Sequence, residues 1–292
     1  MIIRTALAVS AFALLGACAG APKAEMVDFA PLERLSDAMT PDLLMSRGYY
    51  DQAALAYRSA LANNPEDHPA RFGLAEAQRL GGKLDAAATE YTKLSENPQW
   101  NGRAMEGLGR IALNKGDRAG ALDKFSIVVA QDPTAWHSWL AIAQLNDIDK
   151  QWAKADEAYA LALASSKEPA NVYNNHGVSM MARGEPAVAA ELFRNALAAD
   201  PKLTRAATNL DMAVAATGQA ASLDSGNGDA RERARKLNNY GYVAALQGRD
   251  EDAKRYYEAA VKEHPSFYAL AFNNLKTLQT AEESKVEPAK KK

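Results

Sequence analysis

The chain is 292 residues long, with 34 basic and 36 acidic side chains, a net charge of −2 and a single cysteine. Near-balanced charge leaves no electrostatic footprint for nucleic acid. One cysteine rules out an intramolecular disulfide, so stability must come from packing.

The first segment reads as an export signal. Arg4 precedes an apolar stretch from Thr5 to Leu15, which runs into Leu15-Gly16-Ala17-Cys18. A short basic start, a short apolar run and small residues before a cleavage point fit a secretory signal. A bilayer-spanning helix would need about 20 apolar residues. Residues 1–17 are therefore expected to be a signal peptide and 18–30 a tether. Leu-Gly-Ala-Cys resembles the bacterial lipoprotein lipobox. That resemblance implies that Cys18 carries diacylglycerol and becomes the first mature residue. Each buried methylene of its acyl chains is worth about 0.8 kcal/mol toward anchoring. Ala19 stands where an Asp would imply retention at the inner membrane, so the resemblance implies an outer-membrane, periplasm-facing lipoprotein.

From residue 31 onward the chain repeats itself. Gly48, Gly82, Gly116, Gly184 and Gly218 recur at a step of 34 residues, with Lys150 on the one rung that lacks Gly. Ala53, Ala87, Ala121, Ala155 and Ala189 keep the same step, as do Tyr57, Tyr91, Phe125, Tyr159 and Phe193. This period fits one helical hairpin per repeat, and hairpins that cannot bury their own apolar faces must stack. The third repeat shows the logic. Met105, Leu108, Gly109 and Ala112 share one helical face, and Ala121, Phe125 and Val128 share another. Gly109 and Ala121 are small where helices approach, Phe125 fills the space they leave, Gly116 permits the turn and Pro133 closes the repeat. In the first repeat Pro41 interrupts the first helix. In the fifth, Pro186 opens the second helix, where a missing N–H costs little.

The sixth repeat breaks. Residues 203–217 are expected to form an unpaired first helix. Residues 218–229, rich in Ser, Gly, Asn and Asp, read as a flexible loop. The pattern resumes out of register with Leu237, Tyr240, Gly241, Gly248, Ala253 and Tyr257, on a long helix from about Ala230. A helix over about 266–279 caps the stack, within a final segment 230–280, and 281–292 is expected to be a disordered tail. The expected fold is all-α: a right-handed solenoid of helical hairpins, with its array over 31–217 and a C-terminal capping helix.

No constellation for catalysis emerges, and the chain is not expected to be an enzyme or to hold a cofactor or metal. Gly107-Leu108-Gly109-Arg110-Ile111-Ala112 matches a dinucleotide fingerprint, but its glycines fall inside a helix rather than between a strand and a helix. Asp224, Asn227 and Asp229 lack the Glu that would complete a calcium loop. His68, His137, His176 and His264 show no paired metal spacing, and there is no G-x-S-x-G elbow. A recurring amide pair is more informative: Asn174-Asn175, Asn238-Asn239 and Asn273-Asn274, with Thr208-Asn209 in the same frame.

The spaced positions together resemble the tetratricopeptide repeat. The resemblance implies that first helices line a concave groove that binds protein partners. Carried onto this chain, the groove positions are Arg103, Glu106, Arg110, His137, Gln144, Asn171, Asn174, Val178, Met181, Arg205, Met212, Arg235, Asn238 and Tyr242. The first Asn of each pair is expected to face that groove, so that Asn174 and Asn238 could be removed with little loss of stability. Lipobox, five or six repeats and Asn174-Asn175-His176-Gly177 late in the array further resemble the TadD lipoproteins of the tight-adherence (Flp) pilus system. This implies a scaffold at the outer membrane that assists pilus assembly, with a secretin as partner. A pilotin of a type IV pilus or type II secretion system, and a scaffold for cell-wall enzymes, are the alternatives.

Overall fold

The computed structural model describes residues 39–218 and 229–286, with side chains to Thr280. The signal peptide, Cys18, the tether, the body of the expected loop (219–228) and the last six residues lie outside the described residues. Among the described residues all regular structure is helical. The chain divides between Lys167 and Glu168 into two units. The first holds α1 (Pro41–Ser46), α2 (Tyr50–Asn63), α3 (His68–Leu80), α4 (Leu84–Ser95), α5 (Asn101–Asn114), α6 (Arg118–Gln131), α7 (Trp136–Ile148) and α8 (Trp152–Ser165). The second holds α9 (Pro169–Arg183), α10 (Pro186–Ala199), α11 (Thr204–Ala216), α12 (Ala230–Leu246), α13 (Asp250–Glu263) and α14 (Ala269–Val286). Within each unit successive helices pack as antiparallel hairpins, the solenoid architecture that the repeat dictates.

The glycine ladder is a ladder of left-handed turns. Gly48, Gly82, Gly116, Gly184, Gly218 and Gly248 all have φ between 73° and 81°. The residue after each turn closes the helix: Asp117 N–H donates to Ala112 C=O at 2.9 Å and Glu185 N–H to Met180 C=O at 2.9 Å. Lys150, on the odd rung, adopts the same conformation at φ 56°, and Gln151 N–H closes that turn on Asn146 C=O at 2.8 Å. The geometry is thus kept even where the permissive residue is absent.

The aromatic ladder forms the spine of the core. Tyr91, Phe125, Tyr159 and Phe193 are at most 1% exposed. Glycines make room for five of the second-helix rings, Tyr57, Tyr91, Phe125, Phe193 and Tyr257, in two ways. Gly109, Gly177 and Gly241 face the ring of their own hairpin: a Cβ there would lie 2.9 Å from Phe125, 2.6 Å from Phe193 and 2.6 Å from Tyr257. Gly73 and Gly107 face the ring of the preceding hairpin, Tyr57 and Tyr91, even more closely. Tyr91 therefore reaches from α4 into a notch in the next first helix, α5.

Both ends of the array depart from the regular repeat. Pro41 does not abolish the first helix but sets its start: α1 is six residues long, Thr40 Oγ1 accepts from Leu43 N–H at 3.3 Å, and Leu44 is buried. The expectation of an unpaired helix over 203–217 is corrected. α11 packs on α10 through Ala213, and through Met212 and Ala215 it joins the core formed by Val243, Tyr256 and Tyr257 of α12 and α13. Arg249 and Gln247 also donate to the C=O groups of Ala215 (3.3 Å) and Ala216 (3.1 Å), satisfying the carbonyls at its end. Asp229, considered above as a calcium ligand, is the N-cap of α12, accepting from Glu232 N–H at 2.9 Å. The last helix runs to Val286, past the expected start of a disordered tail at 281. Ala, Glu and Lys there are good helix formers, and Pro288 is the first residue that cannot continue a helix.

Lys150→Gly should raise stability by about 0.5–1 kcal/mol, the left-handed cost of a side chain less the added freedom of the unfolded glycine. Urea unfolding checks this, and a lower midpoint would contradict the assignment.

Candidate functional site

In the first unit, first helices α3, α5 and α7 line a cavity of about 350 Å³ formed by Phe72, Glu76, Arg103, Glu106, Gly107, Arg110 and His137. Four of the expected groove residues, Arg103, Glu106, Arg110 and His137, come together there. Gln144 is exposed on α7. Phe72 and Glu76 complete the wall and were not among the expected residues, although they sit one 34-residue step before Glu106 and Arg110. The second glycine of the fingerprint-like stretch, Gly109, packs on Phe125. The first, Gly107, forms cavity wall with Tyr91 behind it, so neither cradles a phosphate.

Charge in the cavity is largely paired. Glu76 holds Arg79 at 2.6 Å and accepts a hydrogen bond from the Tyr91 hydroxyl. Burial pushes the Glu76 carboxyl up, but the bonds from Arg79 and Tyr91 and the charges of Arg79 and Arg110 outweigh it, and the group lies below the usual carboxylate range. Burial, with Glu76 alongside, pushes the Tyr91 hydroxyl far above its ordinary value. Arg110 pairs with Glu106 one helical turn away. Arg103 forms no ion pair among the described residues. Its guanidinium carbon lies 5.0 Å from the centre of the Trp100 ring and 5.9 Å from that of Phe72. His137 is exposed and stacks on Trp136 at 3.6 Å. Among the described residues no group of His, Cys, Asp and Glu could hold a metal ion.

The second unit treats its expected groove residues differently. Asn171 accepts a hydrogen bond from Arg205, and Val178 is 37% exposed. Met181 and Tyr242 are half-buried. Three expectations are corrected. Asn174 and Asn238 are 3% and 4% exposed, and each accepts from the second Asn of the next first helix: Asn209 to Asn174 at 3.0 Å, Asn274 to Asn238 at 2.9 Å. Their amides tie neighbouring hairpins together instead of facing a ligand. Met212 is 7% exposed, because α12 packs directly over the face of α11 that a regular repeat would leave open.

Arg235 is also engaged. Its Nη1 lies 2.9 Å from Asp211 Oδ2 and donates to Thr208 Oγ1 at 3.2 Å. The alignment on Asp211 is poor for a hydrogen bond, leaving a charge contact. Burial accordingly outweighs Arg235 and Lys236, and the Asp211 carboxyl lies above its ordinary value.

Stacked helical hairpins with a polar cavity on their first helices define a repeat scaffold. Tetratricopeptide-repeat profiles match residues 42–99 and 106–172, and a second such profile matches 239–266, together more than half of the chain. The chain belongs to the tetratricopeptide-repeat family, whose members bind protein partners. No curated protein matches the sequence.

Among solved structures, a tetratricopeptide repeat protein from Parabacteroides merdae is 15% identical at a TM-score of 0.53, covering 85% of this chain and 98% of its own. The C-terminal part of a repeat-containing protein from Cytophaga hutchinsonii is 16% identical at 0.55, covering 80% and 98%. PilW, a type IV pilus biogenesis factor, is 19% identical at 0.44, covering 65% and 95%. At these identities the first two likenesses establish the fold alone.

Replacing Asn174 and Asn238 together with Ala should lower the melting temperature by several degrees, since each change leaves a partner amide unpaired between helices at about 1–3 kcal/mol. Thermal unfolding checks this, and an unchanged midpoint would mean that the amides do not join the hairpins.

Proposed function

We propose that this chain is an outer-membrane lipoprotein, tethered through Cys18, whose first-helix groove holds a protein partner during assembly of a tight-adherence (Flp) pilus or its secretin. The observation that carries partner binding is the cavity on α3, α5 and α7. Its polar groups come from three successive hairpins, and Arg103, one of its lining side chains, is left without an acid. Arg103 and His137 are both exposed there, and Arg is among the residues that dominate binding interfaces. The lipobox at Leu15–Cys18, the repeat array and Asn174-Asn175-His176-Gly177 support the envelope and pilus parts of the reading. They do so through resemblance, and fold alone cannot name a partner.

The reading has a direct test in cells. A photo-crosslinking side chain placed at His137 or Gln144 should capture a secretin or another pilus-assembly component, identified by mass spectrometry, while the same group at exposed Arg58 on α2 should not. Cys18→Ser should remove the chain from the outer-membrane fraction. Capture of cell-wall synthases or hydrolases alone would contradict the pilus assignment. Retention of Cys18→Ser in the outer membrane would contradict the lipid anchor.

A further inference from the structure

The cavity on α3, α5 and α7 carries more than the statement that a partner sits there. Its acids are already answered. Glu76 is held by Arg79 and the Tyr91 hydroxyl, with Arg110 close enough to stabilise its charge. Glu106 is held by Arg110. Each arrangement is close to neutral. Arg103 is the lining charge left over: it projects into solvent and forms no ion pair among the described residues. It is not loose, however, because Trp100 and Phe72 lie at 5.0 and 5.9 Å from its guanidinium carbon. A guanidinium lying against aromatic rings still has its N–H edges free, and those edges match a carboxylate with two parallel hydrogen bonds. Phe72 stands beside it as apolar wall, and the Phe72 and Trp100 rings are themselves 5.8 Å apart.

We infer that the cavity selects a partner segment bearing an acidic side chain next to an apolar one, the carboxylate docking on Arg103 and the apolar side chain on Phe72. This rests on the groove reading given above and adds what the groove recognises. The physical reason is complementarity: a segment that brings a carboxylate answers the one unanswered charge, whereas a basic segment would place like charges together. The volume of about 350 Å³ suits one or two side chains rather than a folded domain, so the contact is with a short segment of the partner.

The test uses the full chain in detergent and a phage library of random twelve-residue peptides. Panning on the wild-type chain should enrich an Asp or Glu at one fixed position beside an apolar residue. Panning on Arg103→Glu should replace that acid with Lys or Arg. A synthetic peptide of the acidic sequence should bind Arg103→Glu at least about tenfold more weakly than wild type, the order expected for loss of a charge-assisted pair. It should bind Arg58→Glu, a charge reversal outside the groove, unchanged. Arg103 is exposed, so an unaltered melting curve serves as the folding control. A photo-crosslinker at Gln144 reports separately whether the peptide lies in the groove. Peptides that crosslink there but show no acidic preference, or keep it against Arg103→Glu, overturn this inference and leave the groove reading standing. Enriched peptides that never crosslink to Gln144, or no enrichment at all, overturn both.

Discussion

One contact organises much of this protein: an aromatic ring from a second helix pressed into a gap where a first helix has glycine in place of a side chain. Tyr91 does this against Gly107 of the next hairpin, Phe125 against Gly109 of its own and Phe193 against Gly177. Dispersion falls off steeply with distance, so a ring on bare backbone gains contacts that a ring held off by a methyl group would lose. Because Tyr57 and Tyr91 cross between hairpins, the same contact that closes one repeat also docks the next. That coupling is what a quasi-one-dimensional stack needs, since each hairpin has only its neighbours to lean on.

The groove follows from the same arrangement. A first helix that gives one face to the rings has another left over, and successive hairpins bring those faces side by side. In the first unit the leftover faces carry Phe72, Glu76, Arg103, Glu106, Arg110 and His137, which remain open as a cavity. In the second unit the chain spends comparable positions on holding itself together. Asn174 and Asn238 bond to the next helix, and Arg235 reaches Asp211 across the junction where the repeat loses register. Recognition and cohesion thus draw on the same helical positions, and the neighbouring helix decides which of the two a residue serves.

This explains what could be read from the amino-acid sequence. The glycine, alanine and aromatic ladders translate directly into turns, close approaches and rings, because each is set by the chain's own period. Even Lys150 obeys, its backbone forced left-handed by the turn around it. What a single-helix reading misses is anything decided one hairpin away. Gly107 resembles part of a nucleotide motif until Tyr91, sixteen positions earlier, is seen behind it. Asn174 points toward a groove by its place on α9 but is covered once Asn209 is in position. Met212 would face outward in a regular array, and the shifted register brings α12 over it. Phe72 and Glu76 were within reach of the same 34-residue step that found Glu106 and Arg110.

The ring-in-gap contact is tested most directly by comparing the unfolding free energies of Gly107→Ala and Gly102→Ala. Both glycines lie in α5, but an added methyl at position 102 meets nothing nearer than Gln131 at 3.8 Å, whereas at 107 it runs into the Tyr91 ring. Gly107→Ala should destabilise the chain by about 1–3 kcal/mol. Gly102→Ala should be neutral or stabilise it by up to about 1 kcal/mol through helix propensity. Equal stability of the two variants would contradict the account.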